Sequence, residues 1–192
     1  MPAVNASGMI AAPMFNDAPS STPYAIHRLS TADLGSFRQL RLAALLDSPT
    51  AFGATVETEQ SLSAEQVQLR LEGPSHSGVW GAWNANRVLV GSVGLLHLPQ
   101  DKLQHKATLY AVYVAPCARG AGLGRQMLEA VIAHTRLLTD IRLLNLGVTA
   151  GNVAALGLYQ SLGFVEYGRE PAALCVDGQT YDEILMQLRL RN

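Results

Sequence analysis

Thr108-Leu109-Tyr110-Ala111-Val112-Tyr113-Val114-Ala115-Pro116-Cys117-Ala118-Arg119-Gly120-Ala121-Gly122-Leu123-Gly124-Arg125-Gln126 decides how this chain reads. Its first half is a short apolar run rich in β-branched and aromatic residues, the signature of a buried strand. Pro116 ends that run, because proline has no N–H to give to a sheet. Beyond the glycines, Leu123, Met127, Leu128, Val131 and Ile132 recur at helical spacing. A strand, a glycine-rich turn and a helix start together form an anion site. The first helical N–H groups have no partners, the helix dipole is positive there, and glycines let a phosphate approach the backbone.

Working outward, the 192 residues suit one domain with enough core to fold without disulfides or metals. A hydrophobic share of 48% with 15% charged residues fits a compact enzyme, and a net charge of −1 gives no sign of a nucleic-acid partner. Cys117 and Cys175 are too few for a cysteine-rich zinc site or a disulfide framework, so no metal is expected and a cytoplasmic protein with free thiols is. No run approaches a membrane span. Residues 1–23 lack a basic stretch and a long apolar core, so they do not resemble a signal peptide. Their composition predicts a disordered lead-in to a single domain over 24–192.

Tyr24 to Leu29 alternates as a strand. A helix follows, capped at Ser30 or Thr31 and ended at Asp47-Ser48 by Pro49, with Leu34, Phe37, Leu40, Leu42, Ala43, Leu45 and Leu46 on its apolar side. Thr50 to Ser61 reads as a loop or frayed segment, and a second helix runs from the cap Ser63 to Gly73. Val79 to Trp83 and Arg87 to His97 make a hairpin leading into the central strand. The helix after the glycine turn ends near Thr139, and Leu143 to Val148 forms a strand that the crossover makes parallel to the central one. A short helix from Asn152 or Val153 to Leu162 stops at Gly163. Phe164–Arg169, Ala173–Val176 and Tyr181–Leu190 then form a hairpin about Asp177-Gly178. The order is strand, two helices, three strands, helix, strand, helix, two strands: a mixed α/β domain.

Val114-x-Pro116-x-x-Arg119-Gly120-x-Gly122-x-Gly124 resembles the acyl-CoA motif of the GNAT superfamily of N-acetyltransferases. Leu146-x-Val148-x-x-x-Asn152-x-x-Ala155-x-x-Leu158-Tyr159-x-x-x-Gly163-Phe164 is similar to its second signature, in the right order and at family-like separation. The resemblance implies a GNAT fold whose parallel central and following strands splay into a cofactor slot. It also implies direct transfer of an acetyl group from acetyl-CoA to an amine. In that scheme Gly120, Ala121, Gly122, Leu123, Gly124 and Arg125, with Arg119, face the pyrophosphate, and Val112, Tyr113 and Val114 offer a strand edge to the pantetheine arm. The Val114 N–H would stabilise the oxyanion, worth roughly 3–4 kcal/mol. Asn152 binds the cofactor or caps its helix, and Tyr159 both touches the cofactor and donates a proton to the departing thiolate.

The acceptor is a small-molecule or peptide amine, with protein N-termini or lysines as the rival substrate. A CoA-binding sensor without turnover is the rival from another class. A homodimer is common in the resembling family. The pattern departs from the family at one point: many members carry a Glu where this chain has Thr108, which cannot act as a base. A lysine-like amine with a reference pKa of ~10.4 needs about 4.6 kcal/mol to be neutral at pH 7, so a base matters. Glu57, Glu59, His97, Asp182 and Glu183 are the candidates, each expected as a solvated group, and none is preferred.

Overall fold

The computed structural model describes residues 23–73 and 76–191. The expected lead-in over 1–23 therefore lies, but for its last residue, outside the described residues. The elements are β1 (Ala25–Arg28), α1 (Leu34–Asp47), α2 (Val56–Gln60), α3 (Ala64–Glu72), β2 (Gly78–Trp83), β3 (Leu89–His97), β4 (Lys106–Val114), α4 (Leu123–Leu137), β5 (Leu143–Thr149), α5 (Val153–Ser161), β6 (Val165–Val176) and β7 (Gln179–Arg189). The strands form one seven-stranded sheet in the order β1-β2-β3-β4-β5-β7-β6, and only β4 and β5 run parallel. Among the described residues no helix is long and apolar enough to cross a membrane.

Two apolar layers fix the sheet between helices. On one face α4 buries Leu123, Met127, Leu128, Val131 and Ile132 against Leu95, Leu109 and Leu144. On the other, Phe37, Leu40 and Ala44 of α1 and Val67 and Leu71 of α3 pack on Leu29, Val79, Leu89 and Tyr113. Leu46, expected on the apolar side of α1, is exposed instead. The hairpin turn at Asp177-Gly178 has positive φ at both residues (51° and 79°), the two-residue geometry that matches strand twist. β6 is one continuous strand with irregular pairing near Ala172 rather than two pieces.

Thr50 to Ser61 is a loop only in part, since Val56–Gln60 is helical. Thr55 caps α2 by accepting from the Thr58 N–H, and the short helix exists because tertiary contacts hold it. Glu59, expected in solvent, is 3% exposed and sits between two cations, 3.2 Å from Arg41 Nε and 2.7 Å from Arg70 Nη1. The sequence hid this because the partners lie on α1 and α3, far from α2 in the chain. Burial pulls the Arg41 pKa down, and its Nη1 has no partner, so Glu59 is what makes that guanidinium tolerable. Removing one member of a buried ion group leaves an uncompensated charge. Glu59→Ala is expected to cost about 3 kcal/mol and lower the melting temperature by roughly 10 °C in a thermal melt.

Candidate active site

The site is built where β4 loses its partner. β4 pairs with β5 only at Lys106, Ala107 and Thr108, opposite Leu143, Leu144 and Asn145. β5 then continues along β7 to Thr149, while β4 bends away. The bend has a local cause. Between the pairs Ser92–Tyr113 and Gly94–Tyr110, β3 spends one residue and β4 spends two, which is a β-bulge. Ala111 takes φ +49° there, a left-handed conformation that costs a non-glycine residue about 1–2 kcal/mol. Its displaced carbonyl accepts from the Ser92 hydroxyl at 3.2 Å. The Ala115 N–H bonds Val90 O on β3. With the Ala115 N–H turned to β3, the Val114 N–H before it turns to the other side, toward the gap.

At the mouth of the gap lies the glycine turn. Gly120 and Gly122 have φ of 77° and 75°, and the space where their side chains would stand is open. Among the described residues the N–H groups of residues 120–125 have no acceptor; the first bond back into the turn is Gln126 N–H to Gly122 O. Gly124 is needed for packing: a side chain there would press on Leu158 of α5 at 3.3 Å. These amides rim a cavity of about 530 Å³ also lined by Phe52, Val112, Val114, Asn152 and Leu158. A donor-rich rim with no carboxylate in it suits a diphosphate, and the backbone is free to serve it.

Arg119 and Arg125 already have partners. Arg119 Nε donates to Val114 O at 2.9 Å, and the guanidinium pairs with Asp47 and lies over the Tyr113 ring. That pairing holds the Asp47 carboxyl below its usual range. Arg125 donates to Ser161 at 2.6 Å and to Glu129 at 3.4 Å, tying α4 to α5. Asn152 caps α5, its Oδ1 accepting from the Ala155 N–H at 3.1 Å.

Deeper in the gap, a smaller cavity of about 140 Å³ is lined by Tyr110, Val112, Gly147, Thr149 and Tyr159. Tyr159 is buried, edge-on to Phe164 with centroids 5.9 Å apart, and burial pushes its pKa up to about 12. Tyr110 lies over Gly94, where a side chain on the glycine would overlap the ring, and burial raises its pKa too. Phe52 borders both cavities and stacks under Arg41, 4.6 Å from the guanidinium carbon. Sequence reasoning assigned no role to Arg41 or Asp47 and missed the bulge at Ala111, since each acts through a residue distant in the chain or through backbone geometry.

The candidate bases separate cleanly. Glu59 is committed to Arg41 and Arg70. Asp182 accepts from the Ala172 N–H and pairs with Arg169, and both lower its pKa. His97 is buried beside Gln104 O, opposite Ala107, away from the mouth of the gap. Glu57 is exposed on α2, held below its usual pKa by its own backbone N–H and by Thr55. Thr108 is exposed at the last paired position. Glu183, on β7, lays its carboxylate over Gly147 of β5, where a β-carbon would stand.

A model of the acetyltransferase (GNAT) family matches residues 42–164. The mycothiol acetyltransferase of Geodermatophilus obscurus is 33% identical over 110 residues, covering 56% of this chain and 35% of that protein. An L-methionine sulfoximine/L-methionine sulfone acetyltransferase of Pseudomonas paraeruginosa is 36% identical over 81 residues, 42% of this chain and 46% of that one. The chain thus spans less than half the length of these relatives. A Salmonella typhimurium structure described with its cofactor acetyl-CoA superposes at a TM-score of 0.76 with 23% identity, covering 88% and 95% of the two chains, which shows the shared fold. Gly122→Glu places bulk and negative charge at an amide rim that needs φ +75°. It is expected to abolish acetyl-CoA binding in calorimetry while circular dichroism stays native; near-normal affinity would refute the pyrophosphate assignment.

Proposed function

The chain belongs to the acetyltransferase (GNAT) family, and we propose that it moves the acetyl group of acetyl-CoA directly onto the amine of a small molecule, an amino-acid-like compound being the leading class. The unpartnered amides of residues 120–125, set at the mouth of a gap between parallel strands, carry the reading. The GNAT family uses acetyl-CoA, and both curated relatives are named for acetylation of small molecules.

In this reading acetyl-CoA supplies an activated acetyl thioester, and the chain supplies position and polarity. The amides of residues 120–125 hold the diphosphate. Val112 and Val114 present N–H groups to the amide-bearing arm, and a donor at this edge stabilises charge developing on the thioester carbonyl. Holding acceptor and donor in one gap removes much of the entropy of encounter. Tyr159 faces the leaving sulfur. With a pKa of about 12 against ~8.5 for a simple thiol, complete proton transfer from Tyr159 is uphill by about 5 kcal/mol. Its part is therefore to hold its proton at neutral pH and give a hydrogen bond to the sulfur as charge builds there.

Thiol release from acetyl-CoA, measured with L-methionine sulfone, L-methionine sulfoximine and a peptide with a free N-terminus, tests the reading. Release dependent on a small amine supports it. Tight acetyl-CoA binding with no acceptor-dependent release would favour a cofactor sensor. Tyr159→Phe is expected to lower kcat about 100-fold and leave the KM for acetyl-CoA within twofold; an unchanged kcat would remove Tyr159 from the chemistry.

A further inference from the structure

Gly147 has a feature that neither the cofactor turn nor Tyr159 explains. It lies on β5 in the wall of the deeper cavity, opposite the bulged part of β4. A β-carbon there would overlap the carboxylate of Glu183, with Oε2 at 2.5 Å. Glu183 is on β7, paired with Thr149, so Gly147 is its diagonal neighbour across the strands. The carboxylate thus reaches over β5 and fills the place of the side chain that Gly147 lacks.

We propose that Glu183 is the general base of the acyl transfer, its carboxylate entering the gap over Gly147 to bind and deprotonate a primary ammonium of the acceptor. The inference rests on the acetyl-transfer reading above and names its missing component. Among the described residues no cation stands within ion-pair distance of Glu183. The charged neighbour facing it is Glu170 of β6; Arg169 is held by Asp182, and β5 presents Gly147 and Thr149, which do not titrate. Tyr110, Tyr113 and Tyr159, the titratable groups elsewhere in the cavity wall, are all kept protonated by burial. Partial burial, then Glu170, pushes the Glu183 pKa up, toward the range where a base works well near neutral pH. An acceptor ammonium supplies the counter-charge the site lacks.

The proton balance is complete. The ammonium nitrogen gives one proton to Glu183, and its freed electron pair forms the C–N bond to the acetyl carbon. The C–S bond breaks with its electron pair on sulfur, and the second proton lost from nitrogen ends on that sulfur. Amide, thiol and a protonated Glu183 remain, and the carboxyl then returns its proton to water.

Glu183→Gln keeps the shape and removes the base. With L-methionine sulfone as acceptor, kcat/KM should fall about 100-fold and the acidic limb of its pH profile, lost in the wild type as Glu183 protonates, should disappear, while acetyl-CoA affinity stays within twofold. The paired change Glu183→Gly with Gly147→Glu carries the carboxylate on β5 instead and should recover at least tenfold over Glu183→Gly alone. A Glu183→Gln enzyme with wild-type rate and pH profile would overturn the proposal. If no acceptor releases thiol from the wild type, the transfer reading falls separately, and the 13C titration of the Glu183 carboxyl in the CoA-bound chain decides the site. With L-methionine sulfone as titrant, a carboxyl resonance that fails to move overturns the proposal; a saturable shift that an analogue lacking the amine does not produce supports it.

Discussion

A parallel strand pair that stops pairing after three residues leaves the rest of that β4 edge without its neighbour, and this chain is arranged around that break. Backbone N–H groups removed from water need partners, so a gap of this kind is costly unless something polar fills it. The bulge at Ala111 forces the break by turning β4 off the line of β5, and Ser92 settles the carbonyl that the bulge displaces. At the same end, Gly120 and Gly122 hold the following turn open, and α4 begins with its amides free. Strand edge and helix start therefore line one continuous trough.

Around the trough, the second helical layer fixes one lip as the glycine turn fixes the other. The Arg41–Glu59–Arg70 group fastens the short α2 to α1 and α3. Arg41 in turn lies over Phe52, which borders both cavities. The hydroxyl of Thr149 at the end of β5 donates to Thr50 O at 2.6 Å, so the same segment is pinned to the far lip of the gap. A buried ion group is weak evidence of net stability, but it fixes geometry strictly because each charge needs its partner.

Much of this was legible in the sequence wherever a local rule decides. Hydrophobic periodicity placed α4, the Pro116 stop and the glycine spacing placed the turn, Asn152 and Gly163 bracketed α5, and Asp177-Gly178 placed the last hairpin. The parallel pairing of β4 with β5 followed from the crossover. What was not legible depends on pairs far apart in the chain. α2 exists because Glu59 finds cations on its neighbours, and Asp47 matters because it meets Arg119, 72 residues on. Gly147 reads as an ordinary strand glycine until the sheet order sets β7 beside β5. The candidate acidic residues were visible as types; their partners were set by register and packing.

The central claim is that the gap between β4 and β5, with the turn at its mouth, is where acetyl-CoA lies. Backbone amide NMR of the full chain during titration with acetyl-CoA tests it most directly. The account predicts saturable shifts and exchange protection at Val112, Val114 and residues 120–125, with β1 and β2 unchanged. Saturable binding that leaves those amides unprotected and moves others, such as those of Ser36, Val88 and Cys117 around the separate cavity beside α1, would contradict it.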